Sequence, residues 1–108
     1  MFENFRKWQR YSTSSRAVIR RRDAGSPEGL NLQVSTISQG GIGFYSSMYM
    51  EKATPVSVEL LFHPREGMKK RNIFEGRIAS VCSQGSDYYV GIAFDTEISY
   101  DDFIGVIG

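Results

Sequence analysis

The fold is decided by the stretch Tyr88-Tyr89-Val90-Gly91-Ile92-Ala93-Phe94, in which large apolar or aromatic residues occupy every second position from Tyr88. A period of two puts these side chains on one face of a strand and the intervening ones on the other. The same period recurs at Leu30, Leu32 and Val34, at Ile42 and Phe44, at Val56, Val58, Leu60 and Phe62, and at Phe74, Gly76 and Ile78. The sequence therefore predicts several half-buried strands, with Ala17 to Ile19 as the first.

Turn-forming or charged residues separate these strands, over residues 23–28, 40–43, 64–71 and 83–87. Closely spaced strands with such connections favour an antiparallel barrel. The C-terminal end differs, because Tyr100, Phe103, Ile104 and Ile107 recur at helical spacing after Ser99, a candidate cap. We expect a mainly β fold, a small antiparallel six-stranded barrel over residues 15–96, with a short helix over residues 99–107 that closes one end of it.

Length and composition predict one domain spanning residues 1–108. The 108 residues, 41% of them hydrophobic, suffice for one core and are too few for two ordinary domains. No apolar run approaches the ~20 residues of a membrane span, and the first residues lack the apolar stretch of a secretory signal. We therefore expect a cytoplasmic protein without membrane insertion. The single cysteine, Cys82, excludes a disulfide within the chain.

Basic residues are concentrated at the N-terminal end. Residues 1–22 hold seven basic residues and one acidic residue, whereas the remaining residues hold six basic and eleven acidic ones. This asymmetry indicates an anionic partner near the N-terminal segment. Arg6 and Arg10 are four residues apart and can converge on one ligand. Each guanidinium fork matches a phosphate or the O6/N7 edge of guanine.

A second motif begins about 26 residues after Arg10, where Thr36-Ile37-Ser38-Gln39-Gly40-Gly41 ends a strand-like run. Ser38 supplies a small hydroxyl group. Gly40 and Gly41 allow positive φ and a close approach of a ligand to the main chain. The turn is therefore a candidate binding surface, although the glycines can equally serve a tight hairpin and nothing more.

The two motifs resemble those of PilZ domains. The segment Arg6-Lys7-Trp8-Gln9-Arg10 looks like the RxxxR motif of that family, and Thr36 to Gly41 resembles its (D/N)xSxxG motif, in the same order. Downstream, Gly76-Arg77-Ile78 and Tyr89 to Phe94 are similar to the paired strands that close the PilZ barrel. The resemblance thus covers nearly the whole chain.

The resemblance implies a noncatalytic bacterial receptor for cyclic di-GMP that signals to a downstream protein, as in the control of motility or biofilm formation. Arg6 and Arg10 would hold guanine edges and phosphates, and the opposite side would be lined by Thr36, Ser38, Gly40 and Gly41. Residues 1–14 would form a flexible segment that the ligand orders. No cofactor or metal is implied. Thr36 departs from the pattern, because it stands where the family has Asp or Asn.

Two alternative functions and one alternative arginine pair, which we reject as the motif, stand against these expectations. The departure at Thr36 supports a PilZ-like adaptor that binds no nucleotide and acts through protein contacts. Arg16 and Arg20 form a second RxxxR pair, but only 15 residues separate Arg20 from Thr36, and the pair flanks an apolar strand. A nucleic-acid ligand is unlikely, because the acidic C-terminal half would repel a long polyanion. Catalytic machinery is not visible, since His63 is the single histidine.

Overall fold

Seven strands build the described part of the chain, which in this computed structural model comprises residues 10–13, 15–23, 29–61, 73–100 and 103. They are β1 (Tyr11–Ser12), β2 (Arg16–Arg21), β3 (Leu30–Ser38), β4 (Gly41–Ser46), β5 (Pro55–Leu61), β6 (Ile73–Gln84) and β7 (Asp87–Phe94). Every pairing between them is antiparallel. The strands therefore fall where the period-two segments predict them, except that Phe62 lies outside the described residues.

Six of the strands close into a barrel. The hydrogen-bonded order runs β3, β2, β5, β6, β7 and β4, and β4 pairs with β3 again. Closure removes the free sheet edges that would otherwise invite association with another chain. The prediction of a mainly β, antiparallel six-stranded barrel is confirmed.

The barrel interior is filled by the alternating apolar residues. On β5, for example, Val56, Val58 and Leu60 are buried, while the residues between them are partly exposed. Phe44 is fully buried, and the rings of Phe74 and Phe94 stack with centroids 5.3 Å apart. Burying a side chain of this kind contributes about 1.5–3 kcal/mol, so the shared inner face is what holds the strands together.

One end of the barrel is closed by residues that follow β7. The Ile98 backbone N–H donates to the Gln39 carbonyl at 2.8 Å, and the Gln39 side-chain amide donates to the Ile98 carbonyl at 2.9 Å. The Phe103 N–H donates to the Ser99 carbonyl at 2.9 Å, and Tyr100 and Phe103 are helical. Ile98 and Phe103 are buried against the core. Residues 101–102 and 104–108 of the expected helix lie outside the described residues.

The strand β1 is not predicted by the sequence analysis, which assigned residues 1–14 to a flexible segment. Tyr11 and Ser12 pair with Ile37 and Thr36 of β3, on the same edge of β3 as β2. The Tyr11 ring also contacts the Phe103 ring, with centroids 5.5 Å apart. Two residues are too few for a period-two pattern to be recognised, which is why the strand was missed. Residues 1–9 lie outside the described residues.

Candidate functional site

Two β-bulges set which side chains face outward on one side of the barrel. In β3, the register shifts between Val34 and Thr36, so that Thr36 lies opposite Gly43. Both Val34 and Ile37 are therefore buried although they are three positions apart. Without the bulge, strict alternation would turn Thr36 and Ser38 inward and Ile37 outward. The bulge thus turns the side chains of Thr36 and Ser38 away from the core.

The second bulge lies in β6, between Ile78 and Ser80. Ile78 faces the core, while Ala79 and Ser80 are exposed. Ser80 then lies beside Gly91 of β7, which in turn pairs with Gly43 of β4. Both bulges consequently border the same outer surface, where four strands present small residues or hydroxyl groups.

This surface is a shallow groove of about 220 Å³ on the outside of the barrel. Strands β3, β4, β6 and β7 form its floor, and Arg10 borders it from the segment before β1. Four further residues of the sequence-predicted site line it, namely Thr36, Ser38, Gly40 and Gly41. The structure therefore brings five of the six predicted residues together, and Arg6, the sixth, lies outside the described residues.

Ser38 organises the turn at one end of the groove. Its Oγ accepts a hydrogen bond from the Gly40 N–H at 3.2 Å, and its hydroxyl lies 3.5 Å from the Gly41 carbonyl. A serine that bonds the main chain two residues ahead replaces a backbone interaction and fixes a turn. Ser38 is largely buried, and its hydroxyl bonds to the main chain of the turn. Its role in this structure is therefore to fix the shape of the turn.

Gly41 is required by the close approach of two strands. A Cβ at this position would overlap the Ile92 carbonyl oxygen of β7 and lie 3.1 Å from the Ile92 carbonyl carbon. Gly40 and Gly41 do not use the positive φ that glycine allows, because Gly85 is the glycine with positive φ among the described residues. The close approach of β4 to the β7 main chain therefore accounts for Gly41, and this structural role needs no ligand.

Tyr89 forms the other end of the groove. Its hydroxyl lies 2.8 Å from Thr36 Oγ1, so the side chain reaches from β7 across β4 to β3. Gly43 lies beneath it, since a Cβ there would overlap the Tyr89 hydroxyl. The Tyr45 ring packs edge-on against the Tyr89 ring, with centroids 4.8 Å apart. The hydroxyl at position 36 is thus engaged by a neighbouring side chain.

Arg10 gives the groove its charge. Among the residues that line the groove, Arg10 is the charged one, and no acidic side chain of the described residues faces it. Arg10 also has no hydrogen bond or ion pair to another described residue. Four other arginines are paired with carboxylates, namely Arg20, Arg21, Arg22 and Arg77. A guanidinium at the groove that has no partner among the described residues can bind an anion.

The alternative pair lies elsewhere on the barrel. Arg16 and Arg20 belong to β2, which joins β3 on the edge opposite to β4. The Arg20 guanidinium donates to a carboxylate oxygen of Glu59 at 3.0 Å, and neither arginine lines the groove. The structure therefore separates Arg16 and Arg20 from the second motif.

Sequence reasoning missed Tyr89, Gly43 and Gly91 as groove residues. The sequence does indicate that Tyr89 and Gly91 face outward, because the period of two that turns Val90 and Ile92 inward turns the residues between them outward. The register needed to set Gly91 beside Gly43, however, follows only from the pairing of β4 with β7.

The described residues hold no group of three or more metal-binding side chains. No helix within the described ranges has the length and apolar composition of a membrane span.

The structure of Bacillus subtilis inhibitor of motility (MotI/DgrA) is similar to this chain, with a TM-score of 0.69 and 10% sequence identity. No protein-family model and no curated protein matches the chain.

The similarity covers 93% of this chain and 47% of the MotI/DgrA chain, so the chain spans about half the length of that protein. At 10% identity the likeness shows the fold alone. The fold is the PilZ-like barrel that the sequence analysis predicted.

Proposed function

We propose that this chain is a noncatalytic receptor that binds cyclic di-GMP in the groove and signals to a partner protein in the cytoplasm. The observation that carries this proposal is the convergence of Arg10 with Thr36, Ser38, Gly40 and Gly41 on one groove. Arg10 lies 26 positions before Thr36 in the sequence, and the five residues belong to the two motifs that resemble those of PilZ domains. The structurally similar protein MotI/DgrA is an inhibitor of motility, which supports a role in regulation.

The chemistry of the groove suits a cyclic dinucleotide. A guanidinium binds phosphate or the O6/N7 edge of guanine through charge-assisted hydrogen bonds, and the groove offers hydroxyls and a floor on which a base can lie. At about 220 Å³ it is smaller than the roughly 300–1,000 Å³ of a site for a drug-sized ligand. The segment that carries Arg6 would supply the remaining contacts and become fixed against the barrel, which changes the surface that a partner meets.

Calorimetric titration tests this function. Cyclic di-GMP should bind, whereas cyclic di-AMP should not, because adenine presents a donor amine where guanine presents the O6 acceptor. Arg10→Ala should weaken cyclic di-GMP binding by roughly ten- to a hundredfold, since a hydrogen bond to a charged group contributes about 1.5–3 kcal/mol. Arg20→Ala is the matched control and should change affinity less, because Glu59 already pairs with Arg20.

No binding of cyclic di-GMP by the folded protein would contradict the receptor function. Equal affinity for both cyclic dinucleotides would contradict the reading of guanine by arginine. A larger loss for Arg20→Ala than for Arg10→Ala would show that the wrong arginine pair was chosen.

A second function, a PilZ-like adaptor without nucleotide, is favoured by one specific observation. The hydroxyl of Thr36, at the position where the resemblance calls for Asp or Asn, is already bonded to Tyr89. Near the end of β4, Tyr45, Met48 and Tyr49 are 56%, 55% and 61% exposed, and they would supply apolar contacts to a protein partner. The absence of nucleotide binding in the titration would favour this function.

A further inference from the structure

Tyr89 lies low across the outer surface of the barrel. Its hydroxyl bonds to Thr36 on β3, two strands away from β7, and only a glycine between them leaves room for the ring. The Tyr45 ring supports it at an interplanar angle of 66°. The ring is thus held by contacts on three sides before any ligand arrives, so a ligand that packs against it would not have to order it.

The residues beside this ring have small side chains or none. The row next to Tyr89 consists of Gly43, Gly91 and Ser80, which neighbour one another across β4, β7 and β6. Gly43 lies beneath the ring, and the Ser80 hydroxyl covers Gly91, since it would lie 2.6 Å from a Cβ there. Because no large side chain stands in this row, a planar base can meet the outer face of the half-buried Tyr89 ring. Aromatic side chains are the common means of holding a base without reading its sequence.

The opposite end of the groove carries the positive charge. Arg10 precedes Tyr11, which pairs with Ile37, so Arg10 lies beside Ser38 and the turn to Gly41. The Tyr89 hydroxyl bonds to Thr36, and Ser38 lies two residues further along β3, about 7 Å away at roughly 3.3 Å per residue. One end of the groove thus offers an aromatic wall and the other a guanidinium, an arrangement that matches a nucleotide with its base at one end and its phosphate at the other.

We propose that Tyr89 stacks against a purine base of the ligand, and that Thr36 is a positioning residue that holds the Tyr89 ring through its hydroxyl. This inference rests on the proposed nucleotide-binding function. It assigns a role to a residue outside both sequence motifs. It also gives a role to Thr36, which stands where PilZ domains have Asp or Asn. In this role the threonine acts on the ligand by holding Tyr89 in place.

The test compares Tyr89→Leu, Tyr89→Phe and wild type in calorimetric titrations with cyclic di-GMP. Tyr49→Leu is the matched control, because Tyr49 lies outside the groove and, like Tyr89, packs edge-on against a neighbouring tyrosine, which is Tyr88. Tyr89→Leu should weaken binding about 5- to 150-fold, the range expected for the loss of one stacked base. Tyr89→Phe retains the ring and should lose less, and Tyr49→Leu should bind like wild type.

Proton NMR of the bound ligand separates stacking from a general structural effect. A base against the Tyr89 ring should show its H8 proton shifted upfield in the wild-type complex, and this shift should disappear in the Tyr89→Leu complex. Thr36→Val should weaken binding and reduce the shift in the wild-type background. It should have no further effect in the Tyr89→Phe background, because the hydroxyl pair is already broken there.

The outcomes distinguish this inference from the proposed function. If wild type binds cyclic di-GMP and the folded Tyr89→Leu variant binds equally well, the groove is a nucleotide site but Tyr89 is not its wall. An unchanged H8 shift in that variant has the same meaning. If wild type, shown to be folded, does not bind the nucleotide, the proposed function fails and the role of Tyr89 fails with it.

Discussion

Replacement of Gly43 by alanine tests whether the Tyr89 side chain is held across β4 as the structure has it. The new Cβ would overlap the Tyr89 hydroxyl and lie 2.7 Å from both Tyr89 Cζ and Thr36 Oγ1. Real Cβ atoms essentially never come this close, so the tyrosine must swing away. All three of these atoms belong to side chains on the surface, and the barrel should therefore still fold.

The expected cost follows from the contacts that are lost. The bond between Tyr89 and Thr36 is worth about 0.5–1.5 kcal/mol, and the edge contact with Tyr45 is worth about 0.5–1.5 kcal/mol. Alanine in a strand stabilises the fold by roughly 0.5–1 kcal/mol relative to glycine, because alanine loses less conformational freedom on folding. The free energy of unfolding should thus fall by about 0.5–2 kcal/mol, measured by urea denaturation as a lower midpoint at unchanged slope.

The decisive control removes the obstructing side chains. In a Tyr89→Ala/Thr36→Ala background, Gly43→Ala should be neutral or stabilising, because none of the three obstructing atoms remains. Gly41→Ala should be more harmful than Gly43→Ala and should not respond to that background, since its obstruction is the Ile92 main chain. If Gly43→Ala costs the same in both backgrounds, the collision with Tyr89 is not what requires glycine there, and the reasoning fails.

Two further predictions concern the charges. Arg22→Ala should lower the free energy of unfolding by about 1–2 kcal/mol. The reason is that Arg22 binds the Gly76 carbonyl at 3.0 Å and the carboxylates of Glu75 and Asp95 at 3.2 Å. If this loss of stability is the same in high salt, it does not come from the charges. Thr36→Asp should strengthen cyclic di-GMP binding by about 1 kcal/mol, since a carboxylate can accept from the guanine N1 and N2 donors as well as from the Tyr89 hydroxyl. A titration in which this variant binds no better than wild type would count against a guanine at that position.

The candidate site was only partly visible in the sequence. Arg10 and Ser38 could be proposed because guanidinium and hydroxyl groups have a specific chemistry wherever they lie, and the motif resemblance supplied their partners. Tyr89 was quoted only as part of a strand. Its role depends on reaching across β4 to Thr36, and such a contact between three strands has no counterpart in local spacing.

The sequence alone determined the six barrel strands and the fold class, because a period of two is a local property that any half-buried strand must show. It could not determine the two bulges, since each arises from the register between paired strands and from the need to bend a sheet into a closed barrel. The bulge in β3 decided that Ile37 faces the core and that Thr36 and the largely buried Ser38 line the groove. Tertiary structure thus decided which residues share the groove, because pairing between distant strands sets which faces meet.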